Sequence, residues 1–278
     1  MSLKTIYVVR HGVRLLTQPL ANYGFSTKTH SPRLCFQMYL LTYLTQFRSS
    51  WTVDHITGVY SASIVSPTGI AADPALTSHG VRQAEELAQH LVSLDPPIEA
   101  IYSSPFYRCL QTIQPFVTLH DEQIKAAPRG GESKMLDIRP ELGLGEFFGS
   151  TPFSHPRPAT AEVLKPMFRG YNDAYRSAIA PDIRGETFAA LYQRVTAVVH
   201  EIVARCEAEG VQSVILCTHA AVVIILGRVL TGKIPTGVEE EDFQAFTCGL
   251  SMYKRCDLDE TTAEDNSLRK LLSSCVTH

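Results

Sequence analysis

A chain of 278 residues, 45% hydrophobic and 19% charged, is long enough to bury one substantial core and reads as a soluble globular protein. Its formal net charge of −3 gives no electrostatic footprint for DNA or RNA, so direct nucleic-acid binding is not expected. The longest uncharged apolar-rich run, Leu34 to Phe47, is shorter than the roughly 17 to 25 residues of a membrane-spanning helix, which argues against a membrane protein. Seven cysteines at 35, 109, 206, 217, 248, 256 and 275 form no Cys-x-x-Cys pair, and no signal peptide precedes them. The expectation is a reducing intracellular compartment, cytoplasmic or nuclear, and no zinc site.

In chain order, the apolar run Ile6-Tyr7-Val8-Val9 predicts a first strand over Lys4–Val9 that delivers Arg10-His11-Gly12 into a loop. Residues 15–50 break the composition: little period is visible and no acidic residue appears before Asp54. They read either as a surface insertion with a short helix near Cys35–Phe47, or as a gene-model artefact such as translated intron. Ser66-Pro67-Thr68-Gly69 is turn chemistry. A helix follows Thr77 or Ser78 as N-cap, with Val81, Ala84, Leu87, Ala88, Leu91 and Leu94 on one face and Pro96-Pro97 as its stop. Ile98–Tyr102 predicts a short strand, and Ser103-Ser104-Pro105 the cap and first turn of a second helix carrying Arg108. Leu119–Thr160, rich in glycine and proline, reads as a loop excursion on the substrate side. Gly185-Glu186-Thr187 opens the longest helix, ended by Gly210. Val211–Thr218 is a buried strand ending in Thr218-His219-Ala220-Ala221, before a helix over Ala221–Leu230 capped by Gly232. Gly249–Arg255 is a further strand, and 256–278 a polar tail.

Strands followed by helices, with ionisable residues at strand C-termini, describe an α/β fold whose ligand crevice lies along that edge. No Gly-x-Gly-x-x-Gly or Walker sequence is present, so nucleotide binding of those kinds is not expected. The residues that converge are Arg10, His11, Arg108 and His219, with Gly12 letting backbone approach an anion. Two guanidiniums can clamp a tetrahedral dianion while one imidazole attacks phosphorus and the other donates to its oxygens. Glu141 and Glu146, beside glycines and aromatics, are candidate proton-transfer groups or ordinary solvated loop acids.

Five segments resemble the histidine phosphatase superfamily in its phosphoglycerate mutase-like branch 1, in family order: Val9-Arg10-His11-Gly12; Leu76 through Ala84; Ile101 through Thr112; Gly185-Glu186-Thr187; and Cys217 through Ala221. The resemblance implies an αβα three-layer sandwich with a mostly parallel sheet, formed by one domain over 1–278 with 15–50 as an atypical insertion. It implies metal-independent phosphomonoester hydrolysis without a cofactor, through a phosphohistidine on His11. Arg10, Gly12, Arg108 and His219 would surround the phosphoryl group, and Glu146 would be the general acid, with Glu141 as the fallback. Glu186 would cap its helix or steady an arginine. The substrate would be a small phosphorylated molecule or a phosphoprotein. Within the superfamily the chain looks like fungal members resembling the tau subunit of transcription factor IIIC. That likeness rests on Ser103 to Thr112, Gly143 to Phe148 with His155-Pro156, and Thr218 to Ala221 with Gly227-Arg228. It leaves a second reading, an interaction subunit partnered with other RNA polymerase III transcription factor subunits. A third, phosphoglycerate mutase, is weakened because Arg14 and the residues after it lack the Ser-x-Trp-Asn continuation of mutases.

Overall fold

The computed structural model describes residues 2–14, 51–126, 135–236 and 240–255, with the backbone of Val276 and Thr277. The 15–50 insertion or artefact, its short helix, and most of the 256–278 tail lie outside these residues.

The strands are β1 (Thr5–Arg10), β2 (Trp51–Val53), β3 (Tyr60–Ala62), β4 (Ala100–Ser103), β5 (Ile138–Pro140), β6 (Ser213–Thr218), β7 (Leu250–Lys254) and β8 (Val276–Thr277). The helices are α1 (Ser78–Leu91), α2 (Tyr107–Ala126), α3 (Ala161–Leu164), α4 (Phe188–Glu209) and α5 (Ala220–Thr231). Six strands form one mixed sheet in the order β5-β4-β6-β1-β7-β8, and β2 and β3 form a separate hairpin. The first four strands of that order are parallel, and β7 and β8 are antiparallel additions.

Alternation along the strands divides the core into two. Ile6, Val8, Tyr102, Val214 and Leu216 face α4 and α5. Tyr7, Val9, Ile101, Ile215 and Cys217 face α1, α2 and α3. This is the expected three-layer αβα sandwich. Parallel register brings Arg10 level with Thr218, and Ser103 level with both Cys217 and Pro140. The next residues, His11, His219, Ser104 and Glu141, therefore leave the sheet along one edge. The chain runs from β1 past β6 to β4, and β6 later fills the gap, so a topological switch point lies between β1, β4 and β6.

Several elements differ from expectation for visible reasons. Helix α1 ends at Leu91, with the backbone N–H of Val92 closing on the Ala88 carbonyl and that of Ser93 on the His90 carbonyl; Leu94 packs on the core from beyond the helix. Helix α2 starts at Tyr107, not Pro105. Ser104 is diverted to His219, and the Asp73 carboxylate accepts the Tyr107 N–H at 2.8 Å. The Leu119–Thr160 stretch is not all loop: α2 continues to Ala126, and β5 buries Ile138 completely. The β2–β3 hairpin was not expected. No helix among the described residues is long and apolar enough to cross a membrane.

Gly80, in the first turn of α1, lies against the loop after His11, where an added Cβ would stand 2.2 Å from the Val13 carbonyl oxygen. Both the N–H and the hydroxyl of Thr77, the α1 N-cap, donate to that same carbonyl, at 2.8 and 3.2 Å. Two backbones thus touch at a place where only glycine fits. Gly80→Ala is expected to lower stability by about 3 kcal/mol in urea unfolding. Gly149→Ala, where a Cβ meets nothing within 4 Å, should stay within about 0.5 kcal/mol.

Candidate active site

The loop bearing His11 is clamped by side chains from the segments after it. The His11 N–H donates to the Thr218 carbonyl at 3.0 Å, the Gly12 N–H to Thr112 Oγ1 at 3.0 Å, and the Val13 N–H to Gln83 Oε1 at 3.2 Å. Gln111 Oε1 accepts the Leu76 N–H at 2.8 Å. The polar residues of the Gly80–Ala84 and Arg108–Thr112 segments therefore fix backbone around His11.

His11 itself is buried, and its Nδ1 lies 2.7 Å from the Gly12 carbonyl oxygen. A carbonyl can only accept, so the proton of the neutral ring sits on Nδ1 and the lone pair on Nε2. The His219 ring stands edge-on to His11, with centroids 5.3 Å apart. Ser104 Oγ holds His219 Nε2 at 2.8 Å.

Arg108, with no exposed surface, joins these groups. Its Nη1 donates to Asp73 Oδ1 at 3.1 Å and to the Ala72 carbonyl at 3.3 Å; its Nη2 lies 2.9 Å from Glu146 Oε2 and 3.2 Å from His219 Nδ1. Its Nε is buried with no hydrogen-bond partner among the described residues, a donor that an anion can satisfy. Arg14 Nη1 is 3.9 Å from the same Glu146 oxygen. Arg10 Nη1 donates to the Ala245 carbonyl at 2.6 Å, which fixes its side chain next to the loop.

The charges shape proton affinity. Burial, then Arg108, His219, Arg10 and Arg14, hold the His11 imidazole well below the ordinary histidine value, so it is neutral. Burial opposes ionisation of Glu146, but His219, Arg108 and Arg14 outweigh it and keep the carboxyl well below the usual range. Burial also opposes protonation of His219, yet Cys109 and Glu146 carry it above its ordinary value. Asp73 is pushed up to about 6 by burial, against the pull of Arg108. Arg14 is lowered to about 10 by burial and by Arg108.

Ligand atoms of His11, Glu146 and His219 lie within 4.8 Å of one another, a spacing that could bridge a metal ion. The Arg108 guanidinium is already hydrogen-bonded to Glu146 and His219, so a cation there would have to displace a cation. The surrounding charge fits an anion.

Of the residues singled out in the sequence, His11, Arg108, His219 and Glu146 come together, with Gly12 in the same loop and Arg10 close enough to act on the charge of His11. Glu141 does not join them. It is fully buried and accepts from Gly143 N at 2.8 Å, Tyr175 Oη at 2.7 Å and Ala178 N at 3.0 Å, so it is neither a solvated loop acid nor within reach of the cage. Glu186 steadies an arginine: it pairs with Arg194 at 2.7 and 2.8 Å, and Arg194 Nη1 donates to the carbonyl of Gly143 at 2.6 Å, bracing the turn before Glu146. Sequence reasoning missed Arg14, Asp73 and Ser104. Arg14 had a signal, four residues after Arg10 in the loop that follows β1.

With this geometry in hand, comparison with known proteins is direct. The family model described as Histidine phosphatase superfamily (branch 1) matches residues 66–260. The chain is 33% identical over 215 residues to the Saccharomyces cerevisiae transcription factor tau 55 kDa subunit, covering 75% of this chain and 45% of that protein. It is 28% identical over 179 residues to the Drosophila melanogaster ecdysteroid-phosphate phosphatase, covering 63% of this chain and 22% of that one. The chain thus spans less than half the length of either relative. The crystal structure of the Bombyx mori ecdysone phosphate phosphatase shares the fold with a TM-score of 0.56 at 17% identity, over 95% of this chain and 98% of that one. A cage of two histidines and two or more arginines at the parallel-strand edge, and a family match over most of the chain, make this protein a member of branch 1 of the histidine phosphatase superfamily.

Proposed function

We propose that the protein is a phosphomonoesterase acting through a phosphohistidine on His11. The observation that carries this reading is the His11 tautomer: a neutral ring whose Nδ1–H is held by Gly12, with the Nε2 lone pair free to attack. Nε2 forms the bond to phosphorus as the bond to the leaving oxygen breaks. Arg10, Arg14, Arg108 and His219 take up the charge on the phosphoryl oxygens. In this structure Glu146 is the anion against Arg108. As the phosphate dianion takes over those donors, the Glu146 carboxyl loses what kept it ionised and takes up a proton. That proton goes to the leaving oxygen, and the carboxylate then draws one from the water that attacks phosphohistidine, releasing phosphate and restoring neutral His11. The arginines and His219 supply the positive charge, so no metal ion is invoked.

A second reading rests on the 33% identity to the transcription factor tau 55 kDa subunit over 75% of this chain. The same fold would then also serve as an interaction subunit in a nuclear transcription assembly, alongside RNA polymerase III transcription factor subunits. Co-purification with such subunits, retained in His11→Ala, supports it; monomeric elution from native extract counts against it.

Three outcomes test the enzymatic reading. Hydrolysis of p-nitrophenyl phosphate should persist in EDTA and fall at least about a thousandfold in His11→Ala. Repeating the assay without residues 15–50, which follow directly on Arg14, separates an obstructed site from an inactive one. Glu146→Gln should slow phenyl phosphate much more than p-nitrophenyl phosphate, because the better leaving group needs less protonation. The third outcome is a pH dependence. The unfolded chain binds a proton at histidine near pH 6.5 and folded His11 does not, so this contribution to stability is lost as pH falls through about 6.5. In denaturant titrations His11→Asn should therefore lose less stability than wild type between pH 7 and pH 5.

A further inference from the structure

We propose that the cleft beside Glu146 receives the leaving group of the substrate and selects phosphomonoesters whose leaving group is flat and apolar. This deepens the phosphatase reading and rests on it. The cleft's walls are mostly apolar, with Phe106, Leu142, Phe148, Pro181 and Ile183 among them, and Glu146, Arg157, Asp182 and Glu186 also line it. A mostly apolar lining with a few convergent polar and charged groups is the usual composition of a small-molecule site.

Continuity with the phosphate cage fixes which part of a substrate enters. Phe106 stands edge-on to His219, with centroids 5.4 Å apart, and its ring lies 4.7 Å from the Arg108 guanidinium. Glu146 lies 2.9 Å from that guanidinium and also lines the cleft. A proton passing from Glu146 to the leaving oxygen places that oxygen at the junction, and the carbon attached to it points into the cleft.

The walls are set for a flat group. Phe148 stacks on His155 at 4.8 Å with an interplanar angle of 13°, and its ring lies 6.4 Å from that of Phe106, tilted by 52°. His155 is fixed on both nitrogens. Nε2–H donates to the Gly149 carbonyl at 2.9 Å, which leaves Nδ1 to accept from the Tyr60 hydroxyl at 2.5 Å. The β2–β3 hairpin thus braces the Phe148 ring from behind, and Trp51 of the same hairpin lies 6.5 Å from it. A rigid ring packs on these braced aromatic walls with little loss of conformational freedom, whereas a polyol or a seryl group gains little from them.

The test separates binding from turnover and keeps leaving-group chemistry constant. Calorimetry on the intact chain carrying His11→Ala should find benzylphosphonate binding at least about tenfold tighter than ethylphosphonate. In the wild type, benzyl phosphate should exceed ethyl phosphate by a similar factor in kcat/KM, since both release a primary alcohol. Phe148→Ala should collapse that ratio; Ile183→Glu, at a rim position 41% exposed where folding is not at stake, should do the same. Phenyl phosphate and a phosphotyrosine peptide, compared in one assay, distinguish a small-molecule source of the ring from a protein source. Equal binding of the two phosphonates overturns the inference. Discrimination in binding without any His11-dependent turnover would uphold the cleft and sink the phosphatase reading instead.

Discussion

A guanidinium with no exposed surface depends on partners inside the protein, and Arg108 takes them from three separate parts of the chain. Asp73 comes from the turn before α1, Glu146 from the loop after β5, and His219 from the end of β6. Removing one partner of such a buried cluster typically costs about 3 to 5 kcal/mol, because the remaining charge stays buried. The cluster is therefore a structural constraint as well as a set of reactive groups. It ties β4, β5 and β6 together at the edge where the sheet is least covered, and it sets the charge state of His11 from a distance.

The surrounding polar residues follow from that constraint. Once Arg108 and His219 occupy the crevice, the loop bearing His11 cannot be held by burying more apolar surface, and it is held by side-chain bonds to backbone. Thr112, Gln83 and Gln111 each supply one, and Thr218 Oγ1 does the same for the Leu144 carbonyl before Glu146. Arg194, neutralised by Glu186, braces that second loop from the opposite helical layer. Donor and acceptor are thus set on rigid elements of different layers, and their relative position is determined by the sheet between them.

Much of this was legible in the sequence because its signals are local. Ile6-Tyr7-Val8-Val9 and Ser213–Thr218 are apolar runs of strand length, Thr77 and Thr187 cap helices through their own hydroxyls, and Gly210 and Gly232 end helices in the left-handed conformation. The convergence of His11, Arg108 and His219 follows from their shared place after parallel strands. What was not legible depends on distant partners. Three-residue strands such as β5 and the β2–β3 hairpin are too short to display a period. Glu141 and Glu146 lie five residues apart in one glycine-rich stretch, and only the positions of Tyr175 and Arg108 assign the first to the scaffold and the second to the cage. Ser104, which reads as a helix cap, is drawn away by a histidine 115 residues later.

The Glu146 carboxylate, seated against Arg108 and His219, would make anion binding in the proposed site an exchange between two anions. The cage would trade a fixed carboxylate for an incoming dianion, so its net charge would change less than the charge of the ligand. The displaced carboxylate would then stand next to a phosphate and be driven to collect a proton from solvent. Binding would therefore be coupled to proton uptake, and its observed heat would shift with the ionisation enthalpy of the buffer.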